Sequence, residues 1–139
     1  MADEIMVQNE RAAIAINAAT SLDMSTDEGF AKAFNATMAG DHKVEYCIGD
    51  TITLVDFYVE ACDSVNEQTG EVEKMPHVVL IAEDGQTYEA FSVGMYTATS
   101  RLMTALEASG RDLHTSPIQI EFCERKAKRG KMFYFKIVG

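Results

Sequence analysis

The chain has 139 residues, 47% of them hydrophobic, which suffices for one core and would leave two domains marginal. No run reaches the roughly 18 to 20 apolar residues of a membrane helix, and the acidic opening Met1-Ala2-Asp3-Glu4 is unlike a basic secretory leader, so no membrane partner and a cytoplasmic location are expected. The net charge of −10 speaks against an indiscriminate polyanion binder, and three widely spaced cysteines (Cys47, Cys62, Cys123) without a Cys-x-x-Cys pair exclude a disulfide framework and a zinc knuckle.

In chain order, the first 24 residues carry only the Ala- and Ile-rich stretch Arg11 to Ala19 as a short helix candidate, and no chemistry. Ser25-Thr26-Asp27-Glu28 has the form of a capping box, and Phe30, Phe34 and Met38 at i, i+4, i+8 make an apolar stripe on the helix that follows, with Gly40 placed to end it. That stripe is too small to stand alone, so it is expected to dock on the rest of the chain or on a neighbouring subunit. From Lys43 the pattern turns alternating. Thr51 to Cys62 reads as the first strand, Asp63 to Gly70 as a polar turn segment, Met75 to Ala82 as the second strand, and Gln86 to Val93 as the third after the hairpin signal Asp84-Gly85.

Gly94 to Ser109 reads as a helix with Met95, Thr99, Leu102 and Leu106 on one stripe, followed by Gly110. Two strands close the chain, Pro117 to Glu124 and Lys131 to Val138, joined by the basic turn 125–130. Three strands, a helix and two strands is the element order of the OB-fold, so the expected fold is mainly β: a five-stranded Greek-key barrel with its helix between strands three and four. Residues 1–42 are read as an N-terminal extension, flexible then helical, and 43–139 as the OB-fold domain. A generic α+β sandwich shares the same element order.

Charge is unevenly distributed. Residues 121–139 hold Arg125, Lys126, Lys128, Arg129, Lys131 and Lys136 against Glu121 and Glu124, a balance of +4, which leaves −14 for the other 120 residues. An acidic body with one basic surface fits selective anion binding, whereas a solvated hairpin tip is the plainer account. Alternation places Val55, Phe57, Val59 and Ala61 on one core face of the first strand, with Tyr58 opposite; it places Phe133, Phe135 and Ile137 inward in the last strand, with Tyr134 outward beside Lys136. Phe91 shares a face with Thr87 and Glu89. Tyr58, Phe91 and Tyr134 are thus aromatics on polar faces, a platform on which bases stack at about 1–3 kcal/mol each. The competing account is that each ring covers apolar surface on a curved barrel.

Lys74 extends the basic track only weakly, since Glu67, Glu71 and Glu73 surround it. Phosphate-loop, zinc-protease and serine-elbow signatures are absent, so no enzyme is expected, and no cofactor. His42, His77 and His114 are far apart, and His77 reads as an ordinary half-buried histidine, not a metal ligand or base.

The segment Thr51 to Val138 resembles the single-stranded DNA-binding proteins that bacteriophages encode for their own DNA replication. The resemblance is carried by Val55-Asp56-Phe57-Tyr58-Val59 leading to Asn66-Glu67-Gln68-Thr69-Gly70-Glu71, and by the closing Lys126-Ala127-Lys128-Arg129-Gly130-Lys131-Met132-Phe133-Tyr134-Phe135-Lys136. It implies an OB-fold viral protein without enzymatic activity that coats and protects single-stranded DNA, largely regardless of sequence, in the host cytoplasm. Tyr134, Lys131 and Lys136 match the aromatic and basic positions of the last strand; a homo-oligomer and replication proteins are the further partners. The chain departs from many relatives by ending in Lys136-Ile137-Val138-Gly139 in place of an acidic tail, which leaves tail-mediated recruitment without support. The alternative function is an acidic protein-interaction module, a virion component or a regulator that mimics nucleic acid, supported by the −14 of the body. A small hydrolase is weaker, for want of a nucleophile or metal cluster.

Overall fold

The computed structural model describes residues 18–128 and 130–139. The helix candidate at Arg11 to Ala19 lies largely outside them. Among the described residues seven strands form one curled sheet: β1 (Ala19–Thr20), β2 (His42–Lys43), β3 (Thr51–Val65), β4 (Val72–Ala82), β5 (Thr87–Phe91), β6 (Ile118–Ala127) and β7 (Gly130–Ile137). Helix α1 (Asp27–Ala39) precedes β2, and α2 (Val93–Ser109) connects β5 to β6. The order across the sheet is β2-β5-β4-β3-β6-β7, with β1 on the edge of β3 beyond its ladder with β6. Among the described residues no ladder joins β7 to β5 or β2, so the sheet is a half-barrel of seven strands where five closing on themselves were expected.

β3 organises the curl. Ile52 and Leu54 are buried in the core, and so are Phe57 and Val59, because the register slips between Leu54 and Asp56 and moves the inward set from even to odd positions. Simple alternation assigned Phe57 and Val59 correctly but failed on either side of them: Val55 turns to the outer face and Ala61 is exposed. The core inside the curl is built on Leu54, Leu80, Ile120 and Phe122, with Met95 and Leu102 of α2 packed into it.

α2 begins where Ser92 accepts a hydrogen bond from the Met95 amide and ends at Gly110, whose φ of 67° suits a residue without Cβ. Its first turn lies so close to β7 that a Cβ on Gly94 would stand 2.2 Å from the Phe133 carbonyl oxygen. Glycine there allows α2 to lie along the free edge of β7. The turn at Asp84-Gly85 forms as expected, with Gly85 at φ 86°. Both long hairpins reach further than alternation suggested: β3 and β4 remain paired out to Val65 and Val72, and β6 and β7 out to Ala127 and Gly130.

α1 docks on the outer face of the sheet, but through the wrong stripe by the sequence reading. Gly29, Ala33 and Ala36 are buried, the last against Val79 and Ile81, while Phe30, Phe34 and Met38 are 60%, 61% and 72% exposed. Small side chains permit the close approach that a phenyl row would prevent. The cap also shifts by one residue: Thr26, not Ser25, accepts from the Gly29 amide, and Ser25 instead donates to Asp23. Asp56, only 2% exposed, ties this layer together by accepting from Ser21, from Lys32 of α1 at 3.0 Å, and from His114 in the α2–β6 connection.

Candidate nucleic-acid interface

The β6–β7 hairpin divides its cations between two faces. Opposite residues of an antiparallel pair share a face, so the register Cys123↔Tyr134 and Arg125↔Met132 groups Tyr134, Arg125 and Met132 outward, with Glu121 and Lys136 one pair below. Phe122 and Phe135 pair inward and are buried, which bears out the phase read from the sequence for this strand; Ile137 is 56% exposed instead of core. Beyond Phe133 the inward face leaves the core and presents Lys126 directly opposite Lys131, the latter 3.6 Å from Glu124. Lys128 is exposed at the turn, and Arg129 lies outside the described residues.

Tyr134 is half-buried, with the Arg125 guanidinium 5.6 Å from its ring centroid, and Arg125 also donates to the Met132 sulfur. Both side chains line a groove of about 450 Å³ between β7 and α2, whose opposite wall is Gly94, Ala98, Arg101 and Ala105. Arg101 is the site residue that sequence reasoning missed. Its signal was present: Gly94, Ala98, Arg101 and Ala105 recur at helical spacing, a row of small residues with one cation, which leaves a shallow trough along the helix.

The other two aromatics have different surroundings. Tyr58 lies beneath the α1 layer with Leu22, Val55 and Ala36, opposite Thr20 of β1 and Val79 of β4. Burial, then the Glu60 carboxylate, pushes its phenol up from the usual range. Phe91 is 57% exposed and stacks on His77 with ring centroids 4.4 Å apart. Its face is not wet as expected: Thr87 is buried and bonded to Asp41, and Glu89 is bonded to His77. Tyr58, Phe91 and Tyr134 therefore occupy three separate settings. Lys74 is engaged by Asp63 across the β3–β4 ribbon.

A curled β-sheet with a basic hairpin, an aromatic ring under an arginine and a second arginine across a groove has the make-up of a module that binds single-stranded nucleic acid. Residues 13–137 match the family model of the phage single-stranded DNA-binding protein, phi29 type, and the chain belongs to that family: it is a phage single-stranded DNA-binding protein. No curated protein and no solved structure matches it. Among the described residues no helix is long and apolar enough to cross a membrane.

Proposed function

We propose that the protein coats and protects single-stranded DNA during phage DNA replication in the host cytoplasm, largely without regard to sequence, on an OB-type Greek-key core made by β3 to β7 with α2 between β5 and β6. Residues 1–42 count as an extension to that domain; of its described part, α1 packs on the outer face of the sheet and β1 pairs with β3. The observation that carries this reading is Arg125 over Tyr134 in the groove shared with Arg101, at the foot of a hairpin whose balance is +4. A base stacked in the groove leaves its phosphates within reach of Arg101, Arg125 and Lys136. Lys126 stands directly opposite Lys131, where Glu124 supplies one carboxylate for two cations, and a phosphate is an anion that offsets the second. Phe91, exposed and backed by His77, is a second stacking ring at the far edge of the sheet, while Tyr58 serves the domain by packing beneath α1. The exposed stripe of α1 supports self-association along a coated strand.

The test is a titration of a fluorescent single-stranded oligonucleotide at two salt concentrations, comparing the parent with a variant in which Lys126, Lys128, Arg129 and Lys131 are alanine. The variant is expected to bind more weakly with a flatter salt dependence, losing roughly 0.7 from the log–log slope for each phosphate contact removed. Equal slopes would sink the hairpin as the phosphate track.

A further inference from the structure

The outer face of the sheet, away from the hairpin groove, carries a polar cluster that nucleic-acid binding leaves unexplained. Glu60 and Cys62 stand two residues apart on β3 and so share a face, and His77 of β4 lies opposite Glu60. His77 is 4% exposed, and each of its ring nitrogens meets a carboxylate: Nδ1 lies 3.0 Å from Glu60 Oε1, and Nε2 lies 3.0 Å from Glu89 Oε2 on β5. The Cys62 Sγ is 3.5 Å from the same Glu60 oxygen. A neutral imidazole has one N–H and one lone pair. When Nε2–H donates to Glu89, the Nδ1 lone pair faces the Glu60 oxygen, and two acceptors at that separation require a shared cation. The cation is either a second proton or a metal ion.

Three features favour the metal. The donor atoms of Glu60, Cys62 and His77 all lie within 4.8 Å of one another. Tetrahedral zinc with its usual bond lengths to nitrogen, oxygen and sulfur has ligand-to-ligand edges of roughly 3.3–3.8 Å, so closing the shell draws the widest-set donors in by up to about 1 Å and moves Nδ1 and the Glu60 oxygen slightly apart. The donors are the nitrogen, oxygen and thiolate sulfur that zinc takes. Finally, Glu89 holds the far nitrogen of the imidazole, which is how carboxylates fix the tautomer and orientation of zinc-binding histidines. Glu60 is 32% exposed at its side chain and Cys62 is partly exposed, so an ion has a path in and a fourth position open to water.

We infer that Glu60, Cys62 and His77 form a binding site for one Zn²⁺ ion per chain, with Glu89 as the residue that positions the imidazole. Uptake forms a sulfur–zinc bond and releases the Cys62 thiol proton to solvent. The ion ties β3 to β4 and, through Glu89, to β5, and it immobilises the ring on which Phe91 stacks. His77 thus has a ligand's role that its isolation in the sequence concealed.

The experiment uses the full chain, reduced and treated with chelator, then titrated with Co²⁺ as an optical probe and with Zn²⁺ by calorimetry. One ion per chain is expected, with a thiolate-to-cobalt charge-transfer absorption that disappears in Cys62→Ser and persists in Cys47→Ser and Cys123→Ser. Glu89→Gln should weaken Zn²⁺ binding about ten- to a hundred-fold while leaving the three ligands in place. Saturating Zn²⁺ should raise the melting temperature of the parent and not of Cys62→Ser. If the parent takes up no stoichiometric metal, or if the absorption survives Cys62→Ser, the Glu60–Cys62–His77 cluster is not a metal site and the inference falls. None of these readouts involves DNA, so the outcome is independent of the proposed interface.

Discussion

Tyr134 and Phe135 are neighbours in sequence that the β6–β7 register sends to opposite faces, so alanine at the two positions should separate binding from folding. Phe135 is 8% exposed and pairs with the buried Phe122, and its truncation should cost about 3–5 kcal/mol of stability, the range for a buried aromatic cut back to its Cβ. Tyr134 is half-buried at the edge of the α2 groove. Its loss removes the contact with Arg125, worth about 0.5–1 kcal/mol at an exposed site. If a base stacks on the ring, Tyr134→Ala should also lose about 1–3 kcal/mol of binding, a rise in Kd of about five-fold to over a hundred-fold, while Tyr134→Phe retains most of the affinity. Urea unfolding and oligonucleotide titration of the three variants give the needed pairs of numbers. The reasoning is refuted if Tyr134→Ala unfolds as readily as Phe135→Ala, which would make the ring a core group, or if it binds within about two-fold of the parent.

Asp56→Ala should destabilise by about 2–4 kcal/mol in urea unfolding: it removes charge-assisted bonds from a carboxylate that is 2% exposed, but Lys32 and His114 are each 47% exposed at their side chains and regain water, while Ser21 keeps its bond from the Phe57 amide. An unchanged midpoint would mean that the α1 layer is not anchored there. Replacing Phe30, Phe34 and Met38 together with serine should leave the melting temperature nearly unchanged, because all three face solvent, and should shift sedimentation at high concentration toward the monomer. A lower melting temperature with unaltered sedimentation would show that the stripe serves the fold and not a second copy.

Much of the chain was legible from local chemistry. Asp84-Gly85 specified a tight turn, Gly40 and Gly110 specified helix ends in left-handed conformations, and alternation in β7 assigned Phe135 inward and Tyr134 outward, because each of these depends on a few adjacent residues. The six cations of residues 121–139 marked the hairpin for the same reason. Other features depend on what lies across the fold. The phase slip at Val55 answers the divergence of β3 from pairing with β6 to pairing with β1, and periodicity within one strand contains no trace of it. In α1 the pattern pointed to the phenyl row as the docking face, but depth of approach to Val79 and Ile81 selected the row of small residues, Gly29, Ala33 and Ala36. Arg101 and Arg125 meet one groove only because Gly94 lets α2 lie against the β7 backbone. Likewise Glu60, Cys62, His77 and Glu89, spread over 30 positions on three strands, converge only once the sheet has formed: local sequence determines which way a side chain points on its own element, and tertiary packing determines what it meets.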